Sequence, residues 1–122
     1  MHELSIAYSL VELASQTAAE AGATRVRAVY LRLGALSGVD RGALDFCYEV
    51  ATEGTLLAGS TLVVEELPVR VYCPACVQEV ELASIQCFQC PQCGAPSGDI
   101  RQGRELALES IEVDLPEQVE VP

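Results

Sequence analysis

Two pairs of cysteines constrain this chain more than any other feature. Cys73-Pro74-Ala75-Cys76 and Cys90-Pro91-Gln92-Cys93 are separated by 13 residues, and C-x2-C-x13-C-x2-C is zinc-ribbon spacing. A two-residue spacer curls the backbone so that both thiolates of a pair reach one ion, at a Zn–S distance of about 2.3 Å. Pro74 and Pro91 preset the φ of each turn. Gly94 follows the last cysteine and can take the positive φ that such a knuckle requires. The long spacer can form a hairpin that brings the two knuckles together. Four sulfurs fill a tetrahedron and leave no open position, which points to a structural zinc and away from a hydrolytic one.

The register of the second knuckle has an alternative. Cys87-Phe88-Gln89-Cys90 is also a C-x2-C. The Cys90/Cys93 pair is preferred because it carries the proline and the following glycine, which leaves Cys87 as a free thiol or spare ligand near the metal. The sixth cysteine, Cys47, falls on the apolar face of an expected helix and reads as a small buried hydrophobe.

Around this cysteine-rich stretch the chain has ordinary periodicity. Residues 4–21 form an expected helix, with Leu4, Ala7, Tyr8, Val11, Ala14 and Ala18 at helical spacing and Gly22 as its stop. Residues 25–33 alternate as a strand. Asp40 caps a second helix over 41–53, whose expected buried face is Leu44, Cys47, Val50 and Ala51. Residues 61–67 and 105–113 are further strands, and 115–122 is a loose tail. Pro68 to Gly103 holds five of the six cysteines with four prolines and three glycines, too many turn formers to bury much apolar surface unaided. The expected fold is α+β: two helices on a small three-stranded sheet, with a zinc-ribbon-like lobe inserted between the second and third strands. The expected domains are 1–69 with 103–122, and the inserted four-cysteine zinc-binding lobe at 70–102.

Charge narrows the function. Against 18 acidic residues stand 7 basic ones, a formal net charge of −11, and every basic side chain is arginine. Nucleic-acid binding needs a basic face, so nucleic acid is not an expected partner. No signal peptide and no apolar run of transmembrane length is visible, and a cytoplasmic location is expected. Reduced thiols there favour metal ligation over disulfides. Catalytic triads are unsupported, because the single histidine is residue 2, and Glu65-Glu66 and Glu79/Glu81 read as solvated strand faces. The chain is therefore not expected to be an enzyme.

That histidine sits where chelation is favourable. The α-amine of Met1, the backbone nitrogen and imidazole of His2, and the backbone nitrogen of Glu3 can close adjacent chelate rings in a square plane. Ni(II) and Cu(II) favour such nitrogen ligation.

Taken together, Met1-His2-Glu3-Leu4-Ser5, Gly34-Ala35-Leu36-Ser37-Gly38-Val39, the two knuckles with Cys90-Pro91-Gln92-Cys93-Gly94, and Gly103-Arg104-Glu105-Leu106 closely resemble the hydrogenase maturation nickel-incorporation family, the HypA/HybF proteins. The resemblance runs to about Val113. It implies that His2 is the essential nickel ligand, helped by the Met1 amine and adjacent backbone nitrogens with Glu3 beside the site. It implies that Cys73, Cys76, Cys90 and Cys93 hold Zn(II), and that Ni(II) is a transferred cargo. The implied role is a nickel metallochaperone serving the large subunit of [NiFe] hydrogenase, with a nickel-handling GTPase as partner and, in some organisms, urease maturation proteins as well. Some family members carry histidines flanking the zinc cysteines; this chain has none, so histidine switching of the zinc site is unavailable to it. The competing expectation is a zinc-ribbon protein-interaction adaptor that transfers no nickel.

Overall fold

The structure, a computed structural model, describes residues 3–116. Its elements in chain order are α1 (Glu3–Glu20), β1 (Arg25–Gly34), α2 (Arg41–Thr52), β2 (Thr61–Leu67), β3 (Arg70–Cys73), β4 (Gln78–Glu81), β5 (Ile100–Gln102) and β6 (Leu106–Asp114). The strands form two three-stranded sheets, in the orders β2-β1-β6 and β4-β3-β5. The fold is α+β, and the first sheet uses the three strands expected from periodicity.

The backbone clusters into two compact units. Among the described residues one comprises 3–31, 39–63 and 108–116; the other comprises Arg32–Gly38 and Val64–Ala107.

In the first unit α1 and α2 pack on each other. The end of α1 is set by Gly22, at φ 71°. Its N–H reaches the Ala19 carbonyl at 3.0 Å, and the Ala23 N–H reaches Ala18 at 2.9 Å, the paired bonds of a Schellman stop. Asp40 opens α2 by accepting a hydrogen bond from the Ala43 N–H at 3.0 Å, which satisfies one of the orphan donors of the first turn.

Both helices bury a slightly different face from the one periodicity suggests. On α1 the buried residues are Ala7, Leu10, Val11, Ala14 and Ala18. Leu4 and Tyr8 are exposed, at 44% and 52%. Three fully buried alanines, Ala7, Ala14 and Ala18, belong to that buried face, and small side chains there allow close packing. Leu4 and Tyr8 belong to the neighbouring stripe. On α2 the buried set is Leu44, Tyr48, Ala51 and Thr52, whereas Val50 is 40% exposed and Cys47 is half-buried. Tyr48 and Thr52 go inside because their hydroxyls find partners there. The Tyr48 hydroxyl lies 2.6 Å from that of Ser60, and Thr52 donates to the Glu49 carbonyl at 3.0 Å. A hydrogen-bonded hydroxyl removes most of the cost of burial.

The second unit is built on a small core of Val69, Val71, Cys73, Val80, Leu82 and Cys90, with Leu36, Phe88, Ala95 and Ile100 packed against it. β3 and β4 form an antiparallel hairpin, with Val71 opposite Val80 and Cys73 opposite Gln78. β5 adds to the other side of β3, also antiparallel. The hairpin therefore turns at the first knuckle, and the 13-residue spacer contributes one strand instead of a hairpin of its own. The base of this unit is pinned by a backbone crossing. Gly34 donates to the Glu105 carbonyl at 2.8 Å, and Leu36 donates to that of Gly103 at 2.7 Å. A Cβ on Gly34 would collide with the Gly103 carbonyl, and one on Gly103 (φ 128°) would lie 3.2 Å from the Val69 Cα.

That contact generates a test. Gly34→Ala should cost at least about 2 kcal/mol in urea denaturation, because a backbone carbonyl must move to admit the methyl group. Gly98→Ala, which meets nothing within 4 Å, should change stability by less than about 0.5 kcal/mol.

Candidate metal centre

The sulfur atoms of Cys73, Cys76, Cys90 and Cys93 all lie within 4.8 Å of one another. Each knuckle sits at the tip of a turn. Cys73 ends β3, and Cys76 lies in the tight connection to β4. Cys90 donates its N–H to the Ala95 carbonyl at 2.8 Å, and Gly94 donates to the Cys90 carbonyl at 2.8 Å. Beside them Gln89 bridges to Pro96. The two turns are tied together by Gln78, whose side-chain amide donates to Gln92 at 2.8 Å. Ser97, buried, closes the lobe from behind by donating to the Tyr72 carbonyl.

The spacing of the sulfurs fits a metal ion. Bonds of about 2.3 Å in a tetrahedron give an S–S edge of about 3.8 Å. The Cys73–Cys93 distance is 3.5 Å and the Cys76–Cys90 distance is 3.9 Å. Both are far beyond a disulfide bond of about 2.05 Å, and all six cysteines are free thiols. Cys87 is exposed and is not one of the four that converge.

Electrostatics inside the cluster sort the thiols. Burial pushes the Cys90 thiol up, but the N–H groups of Cys93 and Gln92 donate to its sulfur and prevail, bringing it to about 7. Cys76 is pushed up to about 12, first by its hydrogen bond with Cys93 and then by burial. The Ala95 N–H pulls Cys93 down, yet its contact with the Cys73 sulfur leaves it raised overall. Without a cation the first thiolate to form therefore hinders the others. A divalent ion reverses this by deprotonating all four. The cluster can hold a metal ion such as zinc.

Sequence reasoning missed Val77. It occupies the position in the first knuckle that Gly94 occupies in the second, and it shares the left-handed conformation, φ 55° against 75°. A β-branched residue there is strained, and at 72% exposure its side chain gains little from packing. Aligning Cys73-Pro-Ala-Cys-Val with Cys90-Pro-Gln-Cys-Gly would have exposed the mismatch.

Of the N-terminal candidates, Met1 and His2 lie outside the described residues. Glu3 opens the described part of α1 and is half-buried. Among the described residues no helix is long and apolar enough to cross a membrane.

A small α+β chain whose best-built site is four converging thiols is a metal-binding protein. Comparison with known proteins makes the assignment specific. The family model described as "Hydrogenase/urease nickel incorporation, metallochaperone, hypA" matches residues 1–113. The hydrogenase maturation factor HypA of Chloroflexus aggregans is 54% identical over 112 residues, covering 92% of this chain and 98% of that protein. That of Streptomyces avermitilis is 41% identical, covering 91% and 86%. The solution structure of the Ni metallochaperone HypA from Helicobacter pylori superposes with a TM-score of 0.65 at 25% identity, covering 95% of this chain and all of that one. The chain belongs to the HypA family of nickel-incorporation metallochaperones in hydrogenase maturation. That family is one of maturation factors, not enzymes.

Two measurements test the centre. Val77→Asn should stabilise the metal-loaded protein by about 1 kcal/mol in urea denaturation, because asparagine tolerates the left-handed region. Zinc affinity of the metal-free protein should fall as pH falls, since protons compete for every ligand. The fall should steepen below about pH 7, where Cys90 too is protonated before binding. Proton release on zinc uptake, measured in two buffers by calorimetry, should accordingly be larger at about pH 6 than at about pH 8.

Proposed function

We propose that this chain is a nickel carrier with two metal sites of unlike chemistry: a transfer site at the N-terminus and a closed sulfur site that maintains the lobe. Cys73, Cys76, Cys90 and Cys93 hold one Zn(II) as a structural ion. Ni(II) is bound by the Met1 amine, the His2 backbone nitrogen and imidazole, and the backbone nitrogen of Glu3. The supporting observation is that a chain of this family combines a four-thiol centre having no open coordination position with a single histidine next to its first residue.

The start of α1 suits this role. Backbone N–H groups in the first turn of a helix have no intrahelical acceptor, so a metal can displace the Glu3 amide proton without breaking a helix bond. The positive end of the helix opposes a bound cation, and displaced amide protons leave anionic nitrogens that offset this. A site built from a few terminal nitrogens also stays open to attack by an acceptor's ligands, so transfer proceeds by associative ligand exchange with no covalent chemistry. The acceptor is the [NiFe] hydrogenase large subunit, reached with a nickel-handling GTPase, and urease maturation proteins are a second client in some organisms. The setting is the cytoplasm, where the thiols stay reduced. The lobe at 70–102 acts as a metal-dependent insertion in the domain formed by 1–69 and 103–122.

His2→Ala should abolish stoichiometric nickel uptake while zinc content and the circular dichroism spectrum stay unchanged. Nickel retained in full by that variant would refute the assignment. An N-terminal extension, which converts the Met1 amine to an amide, should weaken nickel binding in a direct titration. Unchanged affinity would move the site elsewhere.

A further inference from the structure

The four sulfurs are unequally shielded. Cys73 and Cys90 are 0% and 2% exposed. Cys76 is half-buried and Cys93 is exposed. The centre therefore has an inner pair sealed in the lobe core and an outer edge facing solvent. Next to Cys93 on that outer edge the neighbours are small or polar, whereas Cys76 is followed by the exposed Val77. Gly94 follows Cys93, and Gln92, which precedes it, accepts a hydrogen bond from the Gln78 side-chain amide. A zinc-bound thiolate keeps its nucleophilicity, and its reactivity then follows access.

We infer that Cys93 is a modification site for peroxides, through which oxidation ejects the zinc and opens the lobe. The chemistry is a two-electron oxidation. The Cys93 sulfur attacks a peroxide oxygen; the S–O bond forms, the O–O bond breaks, and hydroxide (for an organic peroxide, alkoxide) leaves. The resulting sulfenic acid is then attacked by a neighbouring thiolate of the cluster. Cys73, 3.5 Å away, is in reach. An S–S bond forms, the S–O bond breaks, and a second hydroxide leaves. One peroxide is reduced and two thiolates are oxidised. Zinc is left with two protein ligands, too few to hold it. Because two of the lobe's six core side chains are themselves ligands, loss of the ion loosens the core as well. A dithiol reductant restores the four thiolates and lets zinc return.

This inference rests on the zinc assignment above, and the test separates the two. Zinc-loaded protein is treated with hydrogen peroxide in the presence of a chromogenic zinc chelator, and the disulfides are mapped by mass spectrometry. The expected result is zinc release in step with a disulfide joining Cys93 to another cysteine of the cluster, reversed by dithiol and zinc. Cys87→Ser should release zinc at a rate within about twofold of the parent protein, since Cys87 is exposed but outside the cluster. Zinc retained while Cys87 is fully oxidised would overturn the inference. So would a first disulfide through Cys87, or a release rate that falls about tenfold in Cys87→Ser. A reduced protein that takes up no zinc at all would sink the metal assignment and this inference with it.

Discussion

Four sulfur atoms within 4.8 Å of one another form a cluster that cannot carry its full negative charge unaided. Cys76 is pushed up to about 12, first by its hydrogen bond with Cys93 and then by burial, with charge repulsion from Cys73 a smaller contribution. A divalent cation held there would convert that repulsion into a cross-link of the lobe. The dependence is structural as well as electrostatic. The hydrophobic cluster of the lobe has six buried side chains among the described residues, two of them Cys73 and Cys90. Strands of three or four residues add little area of their own. A unit this small needs a staple, and a metal held by the four sulfurs would share Cys73 and Cys90 with the core.

The base of the lobe is held by close backbone approach, which a metal cannot supply. A Cβ on Gly34 would collide with the Gly103 carbonyl, and one on Gly103 would lie 3.2 Å from Val69. The Gln102 side chain donates to the Pro68 carbonyl at 2.9 Å, and Leu36 packs into the lobe core. These contacts explain why the second compact unit takes in Arg32–Gly38 as well as Val64–Ala107. The segment Gly34-Ala-Leu-Ser-Gly38 looks like a mere connection between strand and helix, but it floors the lobe.

Much of this is legible without coordinates. The two helices and the strands of the first sheet are long enough for hydrophobic period to identify them. The cysteine knuckles are legible because metal ligation fixes ligand spacing more tightly than packing fixes side-chain type. What periodicity and motif miss, they miss for identifiable reasons. Tyr48 and Thr52 fall outside the expected buried face because polarity is counted without the internal partners at Ser60 and Glu49. The strands β3, β4 and β5 are too short for alternation to register, and they exist through pairing with one another. The choice of Cys93 over Cys87 has only a proline and a glycine to recommend it locally, whereas convergence in three dimensions is a property of the whole lobe. The backbone donors at Gln92, Cys93 and Ala95 follow from the turn geometry and have no signature in residue type.

The charge distribution bears on the sulfur cluster and on the proposed nickel site alike. Most of the arginines are already engaged: Arg27 with Asp114, Arg32 with Glu65, Arg41 with Asp45, Arg70 with Glu79 and Arg101 with Asp99. Each of these exposed pairs adds little stability, yet together they neutralise much of the basic complement. The excess of −11 therefore acts as a field of carboxylates, and four thiolates around a divalent ion add roughly two negative charges. Such a field raises the local concentration of cations and speeds their encounter in a salt-dependent way, without choosing among them. Selectivity has to come from ligand type. On the proposed assignment, filled thiolates at a closed sulfur centre leave no place for cargo, and the nitrogen donors proposed at Met1, His2 and Glu3 favour the ions that accept a square plane. In that proposal, separating attraction from discrimination would let a site of few donor atoms capture its metal and still give it up.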